Sequence, residues 1–166
     1  MDTKKYFPSV EAIDKASEVL KEILDPTPFM KNNNLSDVYD ANVFLKREDL
    51  QMVRSYKIRG AFNKIRTLEP ELLHKGIVCA SAGNHAQGVA FSCNKLQIIG
   101  SIFMPTTTPK QKIEQVRMFG KEYIDIVLTG DTFDAANAAA IEFANKSGRT
   151  FIPPFDDCKV MEGQGT

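Results

Sequence analysis

Lys57 stands in the most basic stretch of the chain. Between Leu45 and Arg66 the cations Lys46, Arg47, Arg54, Lys57, Arg59, Lys64 and Arg66 meet only Glu48 and Asp49, in a protein whose 21 basic and 21 acidic residues cancel. From Ile58 onward the apolar residues Ile58, Ala61, Phe62, Ile65 and Leu68 fall at helical spacing, and Ser55 precedes them where an N-cap belongs. The spacing puts Lys57 in the first turn of a helix, where the positive end of the helix dipole and the neighbours Arg54 and Arg59 disfavour an ammonium. The ordinary lysine pKa of about 10.4 falls under desolvation and like charge, toward a neutral amine that can form a Schiff base with a carbonyl compound. The competing reading is a solvated basic helix face, since cationic clusters also arise for structural reasons.

A second constellation follows the apolar run Gly76 to Ala80. Ser81-Ala82-Gly83-Asn84-His85-Ala86-Gln87-Gly88 is a small-residue turn leading into a helix, a geometry whose free backbone N–H groups suit an anion such as a carboxylate. No Lys-Ser or Lys-Thr follows Gly88, and the glycine spacing does not fit the dinucleotide fingerprint, so neither form of phosphate loop is present. Taken alone, the segment reads first as a tight turn whose Gly83 serves backbone geometry and whose His85 is a hydrogen-bonded loop histidine.

The elements that must position these groups alternate. Residues 9–24 read as a helix ended by Pro26 and Pro28, the polar stretch to Asn34 as a loop, and 42–45 as a short strand. Strands are expected at 76–80, 97–104, 123–128 and from 150. Helices fill the gaps at about 84–95, from a Thr108 cap with Pro109 first to near Gly120, and from Asp131 or Thr132 to Gly148. The last helix would place Phe133, Ala136, Ala140, Ile141 and Ala144 on one face. Strand-helix alternation of this length implies an α/β fold: an open twisted parallel sheet flanked by helices. After Pro153-Pro154 no closing strand or helix is predicted.

Balanced charge and a pI near 6.7 argue against general nucleic-acid or anionic-membrane binding. No stretch approaches a membrane span, and the amino terminus lacks a signal-peptide apolar run. Three cysteines without a Cys-x-x-Cys pair suggest neither a disulfide framework nor a metal site, and point to a reducing cytoplasm.

Lys46-Arg-Glu-Asp-Leu-Gln51 followed by Arg54-Ser-Tyr-Lys-Ile-Arg-Gly-Ala61 resembles the cofactor-lysine segment of the pyridoxal-phosphate enzymes of the tryptophan-synthase-β fold type, nearest the threonine dehydratase and serine racemase branch. Ser81 to Gly88 is similar to that branch's substrate loop. The resemblance implies that Lys57 carries pyridoxal 5'-phosphate, that Tyr56, where Phe is usual, packs near its ring, and that Asn84 bonds its ring hydroxyl. It implies that Ser81, Ala82, Gly83, Asn84 and His85 receive the substrate's carboxylate. Ala82 stands where serine racemases carry a second serine, which favours elimination.

The implied activity is deamination of threonine, or serine, to a 2-oxo acid and ammonia, in isoleucine biosynthesis or threonine catabolism. A serine dehydratase or racemase, a cysteine-synthase-type enzyme and a non-catalytic anion-binding α/β module are the alternatives. Family organisation implies that residues 1–52 belong to a larger cofactor domain, 53–155 form the smaller domain, and 156–166 return to the larger one. The phosphate loop and the pyridine-nitrogen partner would then lie beyond residue 166. The full-length form would be a homo-oligomer, and this chain a fragment with little activity alone.

Overall fold

The computed structural model describes residues 6–166. Four parallel strands, β3 (Ile77–Ala80), β4 (Gly100–Met104), β5 (Ile124–Leu128) and β6 (Thr150–Phe151), form one sheet in the order β5-β4-β3-β6. All nine residues of β3 and β4 are buried, as expected of central strands covered on both faces. Because side chains alternate across a strand, Ile77, Cys79, Ile102 and Met104 face one way. They pack against α3 (Lys57–Arg66), α5 (Asn84–Leu96) and α6 (Lys110–Gly120). Val78, Ala80 and Phe103 face the other way and meet Ala140 and Ala144 of α7 (Phe133–Ser147). This is the expected open parallel α/β sheet.

The chain order changes direction at β3, whose neighbours are β4 on one side and β6 on the other. Open α/β sheets bind ligands outside the carboxyl ends of their strands at such a switch point.

Of the remaining elements, α1 (Val10–Leu20) and α8 (Cys158–Gln164) pack on α3. Helix α1 is capped by Ser9, whose hydroxyl accepts from Ala12 N–H, and buries Ala16 and Leu20. An antiparallel hairpin pairs β1 (Phe29–Lys31) with β2 (Phe44–Lys46) around α2 (Asn33–Tyr39). Helix α4 (Pro70–Lys75) precedes β3.

Several expected boundaries shift for local reasons. The Lys31 to Asn34 stretch is not a loop: Asn32 caps α2 through a bond from Leu35 N–H. The 97–104 strand starts at Gly100, because Gln97 takes a left-handed conformation that ends α5. The first helix stops at Leu20. The strand expected at 42–45 lies at 44–46. Pro109 is the N-cap of α6 rather than its first residue, and the Thr108 hydroxyl is buried without a partner among the described residues. In α7, Thr132 is the cap and Gly148 the left-handed stop, as expected, but Phe133 and Ile141 stay exposed while the alanines are buried.

The end of the chain is also helical. Asp157 caps α8 by accepting from Lys159 and Val160 N–H, and the helix closes on α3 through glycines. A Cβ on Gly60 would stand 2.8 Å from the Val160 carbonyl oxygen, and one on Gly163 would stand 2.5 Å from that of Arg59.

Substituting Gly163→Ala should therefore separate α3 from α8 and destabilise the protein by about 1–3 kcal/mol, the usual cost of overpacking. Thermal unfolding of the variant beside Gly83→Ala, whose added Cβ would meet nothing within 4 Å, checks this. Equal melting temperatures would refute the tight α3–α8 contact.

Candidate active site

A cavity of about 280 Å³ opens at the carboxyl ends of β3 and β6, lined by Ser55, Tyr56, Lys57, Ala80, Ser81, Asn84, His85, Phe133, Pro154 and Phe155. It lies at the switch point of the sheet. Of the residues singled out in the sequence, Lys57, Tyr56, Ser81, Asn84 and His85 line it together. Ala82 and Gly83 lie in the same turn but do not form its walls.

Lys57 is the first residue of α3, as the spacing predicts. Ser55 is not the N-cap, which is Tyr56 with no side-chain bond, although the Ser55 hydroxyl accepts from Lys57 N–H at 3.2 Å. The Lys57 Nζ donates to the Pro154 carbonyl at 2.9 Å. It sits 3.9 Å from the Phe155 ring centroid and 5.3 Å from that of Tyr56. Burial lowers its pKa, with no contribution from Arg54 or Arg59, so the expected like-charge effect is absent.

Four of the window's seven cations have carboxylate partners: Arg47 and Arg59 within the window itself, and Lys64 and Arg66 far along the chain. Arg59 binds Glu48 through two bonds of 2.8 Å, Lys64 pairs with Asp157, and Arg66 with Glu22. Lys46 donates to the Thr27 carbonyl. The window is charge-rich in sequence and mostly paired in space.

At the second constellation, the α5 N-cap is Gly83 and no side chain caps the helix, which leaves first-turn N–H groups at the cavity edge. Gly83 N–H bonds the Ser81 hydroxyl at 3.2 Å, which shapes the turn. His85 is 3% exposed, and its Nε2 lies 3.0 Å from the Ile152 carbonyl oxygen. A carbonyl only accepts, so this contact places the proton on Nε2 and leaves Nδ1 a lone-pair acceptor. Nδ1 is buried and unpartnered among the described residues. Burial pushes the His85 pKa down to about 4; the bond to Ile152 opposes this and the nearby Lys57 charge reinforces it.

The arrangement combines an amine, an amide, a helix N-terminus, an orphaned acceptor and aromatic walls. That set fits an anionic aldehyde cofactor and a carboxylate-bearing substrate. Phe133, Pro154 and Phe155 were missed in the sequence. The signal was available: Pro153-Pro154-Phe155 follows β6 after the single residue Ile152, at a carboxyl edge where such sheets bind ligands.

The sequence model of the pyridoxal-phosphate dependent enzymes matches residues 20–166. The chain belongs to this family. It is 57% identical over 157 residues to the biosynthetic L-threonine dehydratase IlvA of Halalkalibacterium halodurans, covering 95% of this chain and 38% of that protein. The Bacillus subtilis protein of the same name is also 57% identical over 157 residues, covering 95% of this chain and 37% of its own length. The chain thus spans under two-fifths of these relatives.

Among solved structures, the processed form of threonine deaminase isoform 2 from Solanum lycopersicum superposes with a TM-score of 0.85 at 42% identity, over 96% of this chain and 47% of that one. Maize serine racemase gives 0.89 at 28% identity, over 96% and 48%. The fold is therefore that of the family. No helix among the described residues is long and apolar enough to cross a membrane.

The His85 site makes a pH prediction. Its folded pKa lies below the unfolded value near 6.5, so burying the neutral ring stabilises fully above 6.5 and progressively less as pH falls toward 4. At one to one-and-a-half kcal/mol per unit, the loss amounts to roughly 3 kcal/mol. Unfolding free energies measured across this window for the protein and for His85→Gln should converge at the acid end. A constant difference would refute the burial of a neutral imidazole.

Proposed function

We propose that this chain is the amino-terminal part of a pyridoxal-phosphate dependent threonine dehydratase, converting threonine to 2-oxobutanoate and ammonia. The observation that carries the proposal is the cavity that joins Lys57 to the uncapped N-terminus of α5, in a chain 57% identical to proteins named threonine dehydratases. In this reading Lys57 Nζ holds the cofactor and, when released from it as a neutral amine, takes the substrate's α-proton.

First-turn N–H groups of α5 bind the carboxylate, with Ser81 and His85 bounding that subsite, and the Asn84 amide and Tyr56 ring orient the cofactor. Pyridoxal phosphate, when bound, supplies an electron-poor ring that takes up the negative charge left at the α-carbon. Phe133 and Phe155 give the cavity apolar walls that suit the substrate's methyl group.

Further parts of the reading have their own support. Ala82 offers no hydroxyl for returning a proton on a second face, which favours elimination over racemisation. The division at residues 52/53 and 155/156 follows the separation of the hairpin region and α8 from the parallel sheet. Assembly into a homo-oligomer is supported by the exposed apolar side chains of the hairpin, Phe29, Met30 and Phe44. Three unbonded cysteines suit a cytoplasmic setting.

Incubation with pyridoxal phosphate, borohydride reduction and peptide mass spectrometry should place the cofactor on Lys57, with the label lost in Lys57→Ala. Label spread over Lys46, Lys64 and other lysines would overturn the assignment. Since the chain spans 38% of its relative's length, ammonia release from it alone is expected at background. Robust release from threonine would refute the division of the active site between this chain and further sequence.

A further inference from the structure

The ammonium of Lys57 is held in a way that its expected chemistry does not require. Its Nζ lies 3.9 Å from the centroid of Phe155, close enough for a strong cation–π contact, while donating at 2.9 Å to the carbonyl of the adjacent Pro154. Phe155 is 64% exposed and belongs to neither buried core cluster of the described residues. Burial is the resolved cause acting on Lys57, and the titratable side chains facing it are the Tyr56 phenol, whose ring centroid is 5.3 Å from Nζ, and His85, which is neutral above its depressed pKa of about 4. No carboxylate among the described residues pairs with Lys57. The charge is instead met by a carbonyl, the Phe155 ring face at 3.9 Å and, more distantly, the Tyr56 ring at 5.3 Å.

Carbonyl and ring differ in kind. A carbonyl accepts from an amine in either protonation state, whereas the quadrupole of a ring attracts the cation far more strongly than the neutral amine. We infer that Phe155 is a positioning residue for Lys57: its ring holds the cofactor-free side chain as an ammonium against Pro154, and a nucleophilic amine able to take up a carbonyl compound arises when Nζ leaves this cradle. The inference deepens the proposed function, because it assigns a residue that governs when the cofactor lysine is available. It also gives the 152–155 segment a role, since the Ile152 carbonyl is fixed by His85 while the Pro154 carbonyl holds Lys57.

Competitive labelling with trace acetic anhydride reads this without any cofactor. The neutral Nζ attacks an anhydride carbonyl, acetate leaves, and the nitrogen's proton passes to solvent. Acetylation of Lys57 is followed by peptide mass spectrometry against pH, normalised to Lys75. In Phe155→Leu, which keeps an apolar cover but removes the quadrupole, the midpoint should fall by about half a unit to one unit. Labelling below the midpoint should rise about three- to tenfold. Phe155→Tyr, which keeps the ring, should follow the parent protein.

A midpoint in Phe155→Leu equal to or above the parent's would overturn the inference, as would Phe155→Tyr behaving like Phe155→Leu. Borohydride trapping on the parent protein separates the two proposals. Retained trapping with an unmoved midpoint removes the role of Phe155 alone, and a moved midpoint without trapping removes the cofactor assignment alone.

Discussion

A Cβ at Gly88 would stand 3.1 Å from the Cα of Ile58, just as one at Gly163 would meet the carbonyl of Arg59. Helix α3 is thus clamped between backbones, with α5 on one side and α8 on the other. Ile58 follows Lys57, and Gly88 lies one turn into the helix whose first turn carries Asn84 and His85. The Gly88–Ile58 approach therefore sets the distance between the amine and the helix N-terminus across the cavity. A side chain there would move the two halves of the site apart before it disturbed the sheet. The fully buried Ile58, Ala61, Phe62 and Ile65 then fix the rotation of α3, so that Lys57 faces the mouth of the sheet.

Charge is organised around the same helix. Arg59 is almost buried, and its bidentate bond to Glu48, with Thr166 as a third partner, satisfies most of the guanidinium. Burial alone would raise the Glu48 pKa, but bonds from Arg59 and Thr27 more than reverse this and hold the carboxyl below its usual range. A buried pair of this kind adds little net stability compared with apolar packing, yet losing one partner strands the other. Its effect is to tie the strand-to-helix segment before Lys57 to the helix that bears it. Arg54, in the left-handed region at φ 54°, makes the turn between them, a conformation disfavoured for a residue with a Cβ.

Local patterns exposed the α/β alternation, the helix beginning at Lys57 and the turn from Ser81 to His85. Each is written in neighbouring residues: apolar spacing for α3, Thr132 and Gly148 for α7, and an apolar run for β3. The hairpin region and α8 were not legible in the same way. Helix α8 is seven residues long and contains Gly163, so its intrinsic preference is weak and its contact with α3 stabilises it. The paired state of the basic window was hidden because Glu22 and Asp157 lie far from it in sequence. Phe155 escaped notice for a related reason: an exposed ring after two prolines has no periodicity, and its meaning depends on where Lys57 ends.

The cavity's lining explains what kind of molecule it suits. It includes no aspartate or glutamate, while Lys57 brings a cation and the uncapped α5 terminus brings partial positive charge. His85, held neutral by burial, adds an acceptor without adding charge. A ligand that is anionic at two points, with a flat apolar body between them, would find donors at its ends and aromatic faces along its sides. A cationic ligand would meet Lys57 with no carboxylate to offset it. A preference for anions would follow from which charges the fold neutralises: Arg59, Lys64 and Arg66 receive carboxylate partners, and Lys57, turned toward the sheet's open end, receives a carbonyl and two ring faces.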